Sequence, residues 1–311
     1  MKLNLFKWEK LWWAISGLFI TIGIVAMAIS WTQFGWPLKP GLDFVGGTRL
    51  QLQLACAKAN NCSAPIDVAQ VREILAEAGL GNSGLQVIEN YTLAIRSQTL
   101  DVNQRNQIQQ ALNQKLGQFD NETIQIDTVG PTIGRELFQS GGIAFILSLV
   151  GIVGYLTIRF QLDYAFFAVL ALFHDVLITA GAFAILGLVA GVEVDSLFLV
   201  SLLTIIGFSV NDTVVIYDRI RETLDQNPND SINAVVEAAV EQTLGRSINT
   251  TLTTMLPLVA IFFFGGETLK FFALALIIGF TTGAYSSIFI ASTLWAWWRN
   301  HRNRSKQVAP A

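Results

Sequence analysis

Charge is scarce in this sequence. Only 14% of its 311 residues are Asp, Glu, Lys or Arg, against roughly 25% in ordinary globular chains. That deficit excludes a conventional soluble protein. Histidine and cysteine are scarcer still, at two each, which argues against a bound metal. There is no basic excess either: 20 Lys and Arg face 23 Asp and Glu, a net charge of −3, so nothing offers a surface for nucleic acid. No phosphate-cradling glycine motif occurs, which removes ATP as the implied energy source. The 7 prolines and 25 glycines show no period, excluding a collagen-like chain. What is abundant is apolar: 52% hydrophobic residues, 21 Phe and 8 Trp, with mean hydropathy +0.49. The composition is that of a membrane protein, and no organic cofactor is implied.

A bilayer core needs about 20 apolar residues in helix. Stretches free of Asp, Glu, Lys and Arg cover residues 11–38, 137–158, 247–266 and 271–298. Two more are broken by a single acid each: 164–190 by Asp175 and 196–217 by Asp212. Six spanning helices are predicted. Lys2, Lys7 and Lys10 precede the first, while Arg299, Arg302, Arg304 and Lys306 follow the last in the tail 299–311. Arg159 and the Arg219, Arg221 and Arg246 segment fall on the same side, whereas the joint at 191–195 is acidic. The positive-inside rule then places both termini in the cytoplasm. Ala26-Met27-Ala28 fits a signal-peptide cleavage pattern. The long apolar run, with Trp12 and Trp13 at one end and Trp31 and Trp36 at the other, favours a retained span over residues 1–36.

Residues 37–136 have ordinary soluble composition, with 18 of the chain's 43 charged residues, and fall outside the membrane, opposite the termini. Residues 48–54 alternate as a strand. Residues 66–80 place Val68, Val71, Ile74 and Leu75 at helical spacing, between Pro65 and Gly79. A hairpin is predicted at 85–89 and 92–96, a second amphipathic helix at 102–116, and a closing strand at 123–129. The order β-α-β-β-α-β is that of a ferredoxin-like α+β unit, which by itself says little about function. Cys56 and Cys62 both lie here. An oxidising compartment permits a disulfide between them; two free thiols are the alternative.

Ionisable groups inside spans are costly and often serve transport. His174-Asp175 lies about eleven residues into the third span, roughly 17 Å deep. Asn211-Asp212 lies about six residues into the fourth, roughly 9 Å deep. The fifth opens with Arg246, Asn249, Thr250, Thr253, Thr254 and Pro257, of which 246, 249/250, 253 and 257 share a helical face. Arg246 is placed to pair with Asp212. Threonine and asparagine are often hydrogen-bonding glue between helices, and Thr251 is read that way. The two carboxylates are read as a proton path, because an acid changes charge as its surroundings change. Asp218 reads instead as an interfacial ion pair with Arg219 and Arg221.

At these residues the chain resembles the SecD/SecF family of the resistance-nodulation-division superfamily, on its SecF side. The matching segments are Gly41-Leu42-Asp43-Phe44-Val45-Gly46-Gly47-Thr48, Val129-Gly130-Pro131 with Gly134 and Glu136, and His174-Asp175. The block from Val210-Asn211-Asp212-Thr213 through Tyr217-Asp218-Arg219 to Arg221-Glu222 also matches, as do Gln242-Thr243-Leu244, Arg246 and 250–254. The likeness covers about residues 10–298 and departs at Asn249 and Leu252. It implies a non-enzymatic translocase subunit in the inner membrane, or another energy-coupling membrane. Such a subunit pairs with SecD and works with the SecYEG channel and SecA on unfolded preproteins, drawing on protons. The fourth span is expected to meet its SecD counterpart.

Three rivals were weighed. A proton-driven small-molecule or lipid exporter of the same superfamily usually carries twelve spans and two large outer domains. An intramembrane aspartyl protease needs a Gly-x-Gly-Asp partner, absent here. A membrane-anchored sensor needs no acids inside its spans. Two mechanical expectations follow: an amphipathic helix at 231–244 lying on the membrane surface, and hinges to the outer domain at 37–41 and 130–134.

Overall fold

The computed structural model describes residues 4–59, 61–62, 64–81 and 83–308. Lys2 and residues 309–311 lie outside them, and the side chains of Arg304, Lys306 and Pro131 are likewise outside the described set. The chain divides into two units: Met1–Lys39 with Gly141–Ala311, and Pro40–Ser140.

The smaller unit opens with a one-turn helix α2 (Leu42–Val45), where α1 (Glu9–Phe34) belongs to the larger unit. Strand β1 (Gly47–Gln53), a turn α3 (Ala55–Lys58), helix α4 (Val68–Glu77), strands β2 (Gly84–Ile88) and β3 (Thr92–Ser97), helix α5 (Val102–Leu116) and strand β4 (Gln125–Val129) follow. The sheet is antiparallel throughout, in the order β2-β3-β1-β4. Leu50 pairs with Ile95, and Leu52 with Leu93. Strand periodicity sends all four to one face, where they pack with Val71, Ile74 and Leu75 of α4 and Ile108 and Leu112 of α5. Arg49, Gln51 and Gln53 alternate with them and stay half-exposed. Asp67 caps α4 by accepting from the Ala69 amide at 2.8 Å, so Ile66 falls outside that helix. Asp101 and Gln104 form a reciprocal capping box on α5. Thr123 is held in a turn by Asp120, which delays β4 to Gln125.

The larger unit is helical. Among the described residues, six segments are long and apolar enough to cross a membrane: Phe6–Phe34, Thr132–Arg159, Leu162–Ala190, Ser196–Gln226, Ile232–Phe264 and Leu269–Arg302. They comprise α1, α6 (Pro131–Arg159), α7 (Leu162–Ala190), α8 (Ser196–Gln226), α9 (Ile232–Phe264) and a sixth span built of α10 (Glu267–Ser286), a π-helical turn (Ser287–Ala291) and α11 (Ser292–Val308). Side chains such as Ile146, Leu147 and Val150 on α6 stand outward, as lipid contact requires. The core joins Leu156, Phe160, Tyr164, Ile216, Tyr217, Val236, Val240 and Trp295. Spans α1 and α7 approach closely where Gly23 faces Gly181: a Cβ on Gly23 would lie 2.9 Å from the Gly181 Cα. Small residues at such crossings let helix backbones meet.

Two expectations need correction. No separate surface helix occupies 231–244. Ser231 caps a single helix through the Ala234 amide, and that helix runs unbroken from Ile232 to Phe264. Gly245 is the only weak helix former at the anticipated break, and one glycine costs only about 1 kcal/mol. Likewise α6 begins at Pro131, the first helical position proline favours, so Gly134 lies inside a helix and only Gly130 remains outside it.

Candidate functional site

Asp175 is 1% exposed and His174 5%. Adjacent on α7, they meet side by side: His174 Nδ1 lies 2.9 Å from Asp175 Oδ1. The second oxygen, Oδ2, accepts from Ser209 of α8 at 2.6 Å and from Ser286 of α10 at 2.8 Å. His174 Nε2 reaches Ser16 of α1 at 3.0 Å. Four spans thus converge on the His174–Asp175 pair. Ser16 also reaches the Tyr285 hydroxyl at 3.2 Å, and Tyr285 donates to the Trp12 carbonyl at 3.0 Å. The tautomer of His174 decides which nitrogen donates. The arrangement sets an imidazole and a carboxylate in direct hydrogen-bond contact inside the bundle.

Asp212 on α8 is also buried, 7% exposed. Its Oδ1 accepts from Ser247 of α9 at 2.6 Å, while Oδ2 is buried without a hydrogen-bond partner among the described residues. The expected pairing with Arg246 is not formed. Arg246 is exposed and acts on Asp212 only through space; the neighbouring serine takes its place. Asn211 points outward from α8. The Thr253 and Thr254 hydroxyls bond back to the Asn249 and Thr250 carbonyls of their own helix, so the threonine run does not bridge spans.

Asp218 does join an ion pair, with Arg221 as expected and with Arg159 more closely, but not with Arg219. Arg159 binds both of its oxygens at 2.9 and 2.7 Å, with Arg221 at 3.9 Å. Arg219 turns instead to Glu222 at 2.5 Å and to Gln242. Arg299 pairs with Asp163 at 3.1 Å. At the far end, Lys39 pairs with Glu193 at 3.5 Å and donates to the Gly191 carbonyl. Its own carbonyl accepts from Val194. Lys39 is therefore pinned to the α7–α8 joint, so it is not free to flex within the segment 37–41.

In the smaller unit, Asp43 lies in α2, which ends at Gly46 and Gly47, both at positive φ (71° and 125°). A Cβ on Gly47 would stand 2.4 Å from the Ser97 carbonyl oxygen. Gly134 packs against the same turn, since its Cβ would lie 3.2 Å from the Asp43 and Phe44 carbonyls. Cys56 and Cys62 are joined as a disulfide. No group of three or more His, Cys, Asp or Glu suited to a metal occurs among the described residues.

Sequence reasoning missed the hydroxyls: Ser16, Ser209, Ser247 and Ser286. The available signal was spacing, because Ser209, Thr213 and Tyr217 recur every fourth residue of an apolar helix.

A bundle of six apolar spans that buries two carboxylates defines an integral membrane protein with ionisable groups inside its membrane region. Residues 108–301 match the family described as protein export membrane protein SecD/SecF, C-terminal, and residues 37–58 match the SecD/SecF GG motif. The chain is 70% identical to the protein translocase subunit SecF of Synechocystis sp., over 97% of this chain and 96% of that one. It is 38% identical to the SecF of Prochlorococcus marinus over 91% of each. Two solved structures, both 28% identical, resemble it. SecDF from Thermus thermophilus has a TM-score of 0.80 over 96% of this chain and 39% of that one. SecDF in its super-membrane-facing form has a TM-score of 0.68 over 99% and 40%. The chain thus spans about two fifths of those SecDF chains. It belongs to the SecD/SecF family of protein-export membrane proteins, on the SecF side.

Proposed function

We propose that this protein is the half of a proton-driven export accessory that pairs with SecD. It lies in the inner membrane with both termini cytoplasmic, and it promotes passage of unfolded preproteins through the SecYEG channel alongside SecA. The observation that supports this most is Asp212: a carboxylate buried in a span, one oxygen without a hydrogen-bond partner among the described residues, and an exposed arginine one residue from its serine donor. An acid so placed has two alternatives. Held by Ser247 alone it can take a proton; drawn to Arg246 it stays charged. Exchanging those partners couples proton movement to the relative motion of α8 and α9. His174-Asp175, a hydrogen-bonded imidazole and carboxylate, is the deeper member of the same relay, while Asn211, Thr250, Thr253 and Thr254 line the approach.

The topology of the smaller unit supports a ferredoxin-like reading. Gly130 and Pro40 are the joints through which span motion reaches it, and Asp43, Gly46, Gly47, Pro131 and Gly134 form the connection. Half of a relay needs its other half. In vesicles, gradient-dependent stimulation of preprotein translocation is expected only when this chain is co-expressed with SecD. Stimulation by this chain alone would favour an autonomous exporter of the superfamily instead.

A further inference from the structure

The sixth span is not one α-helix. Between α10 and α11 it widens into the π-helical turn Ser287–Ala291, and single π turns concentrate at functional sites. Its position is specific. The residue before it, Ser286, donates to Asp175 Oδ2 at 2.8 Å. Its first residue, Ser287, bonds Thr213, the neighbour of Asp212, at 2.7 Å. Its last residue, Ala291, gives its carbonyl to the Tyr217 hydroxyl at 3.2 Å. On α8 these contacts come from Ser209, Thr213 and Tyr217, one face at four-residue spacing. Ser209 shares Asp175 Oδ2 with Ser286. The turn is therefore held at its start, beside Asp175, and at its end by a ladder of hydroxyls from the helix that carries Asp212.

The carbonyls of the turn are provided for as well. Ser292 bonds back to Ile288, and Thr293 to Phe289 at 2.6 Å. Four residues below the turn, Trp295 is fully buried and stacks on Tyr164 at 4.5 Å. Arg299 pairs with Asp163. The segment beyond the turn is thus fixed to the start of α7.

We infer that this π turn is a movable register joint, which travels along the sixth span when Ser286 lets go of Asp175. Migration of a π turn by one position moves the residue passed by about 1.5 Å along the axis and about 100° around it. Such a step withdraws Ser287 from Thr213 and passes the change at Asp175 to α8, while the helix on either side of the turn keeps its register. The titratable neighbours of Asp175 are His174 on its own helix and Tyr285 on α10, whose ring stacks on His174 at 6.1 Å. The inference rests on the proton-coupling reading for its trigger; its geometry can be measured separately.

Thr213→Cys and Ser287→Cys, in the complex with SecD reconstituted in liposomes, place two thiols where the hydroxyls meet, and their disulfide yield reports whether Ser287 stays at Thr213. Ser286→Ala, which removes the tie to Asp175, is expected to lower that yield several-fold. Asp175→Ala, which removes the acceptor, is expected to do the same. Deleting Phe289 converts the turn to continuous α-helix, and in that background neither substitution should change the yield. An unchanged yield in Ser286→Ala and Asp175→Ala would overturn the joint. If the deletion fails to assemble, the two substitutions in the full-length chain still decide. Loss of gradient-driven stimulation without any change in yield would leave the proton reading standing and the joint refuted.

Discussion

At the scale of single residues, the acids were legible because a carboxylate in an apolar run has no ordinary explanation. Their partners were not, since serine is common in spans and its spacing marks a face without naming what that face meets. Arg246 was drawn towards Asp212 by charge alone. The helix instead puts Ser247 against the acid and turns Arg246 outward. Ser247→Ala removes the one hydrogen bond to Asp212, and bonds to charged groups are worth about 1.5–3 kcal/mol. The variant should melt earlier than wild type in detergent, and a second change, Asp212→Asn, should add little to that loss. Additive losses would mean that the two groups act independently. Gly47 is a residue whose role the sequence suggested only as motif. Its φ of 125° and the nearby Ser97 carbonyl leave no room for a side chain. Gly47→Ala is expected to destabilise the small unit by about 1–3 kcal/mol, seen as faster amide exchange in β1 and β3 of the full-length chain. Unaltered protection there would contradict this reading of the turn.

At the scale of elements, the apolar runs marked six helices, and period-two alternation marked β1. Helix α5 spans the residues read as amphipathic, and in the structure a capping box opens it and Gly117 closes it. The errors fell where helices continue past the apolar stretch. Charge marks where a span leaves lipid, but a helix ends only at a breaker: α8 persists through Asp218-Arg219 to Asn227-Pro228, and α9 begins at Ser231. The π turn left no trace in composition, because Ser287–Ala291 contains neither Gly nor Pro. Nitroxide accessibility along residues 232–264 should follow one uninterrupted 3.6-residue period. A phase break near Gly245 would restore the separate surface helix. Gly23→Ile should force α1 from α7 and stretch the Ser16–His174 bond, lowering the melting temperature by several degrees; an unchanged melt would mean that the contact carries little.

At the scale of the whole molecule, six spans and one small α+β unit align with about two fifths of a SecDF chain. The hydroxyl ladder, the two acids and the arginine lie within this chain, while the face of α9 that bears Arg246 and Asn249 is exposed. Polar groups there are costly against lipid, so the account expects a second membrane subunit to cover them. The central claim is that Asp212 takes and releases a proton during export. The direct measurement is preprotein translocation into inverted vesicles containing SecD and this chain, with and without a proton gradient, comparing wild type with Asp212→Asn. The substitution keeps size and hydrogen bonding but cannot titrate. Assembly with SecD should persist while gradient-dependent stimulation disappears; full stimulation in Asp212→Asn would show that Asp212 is structural glue and contradict the account.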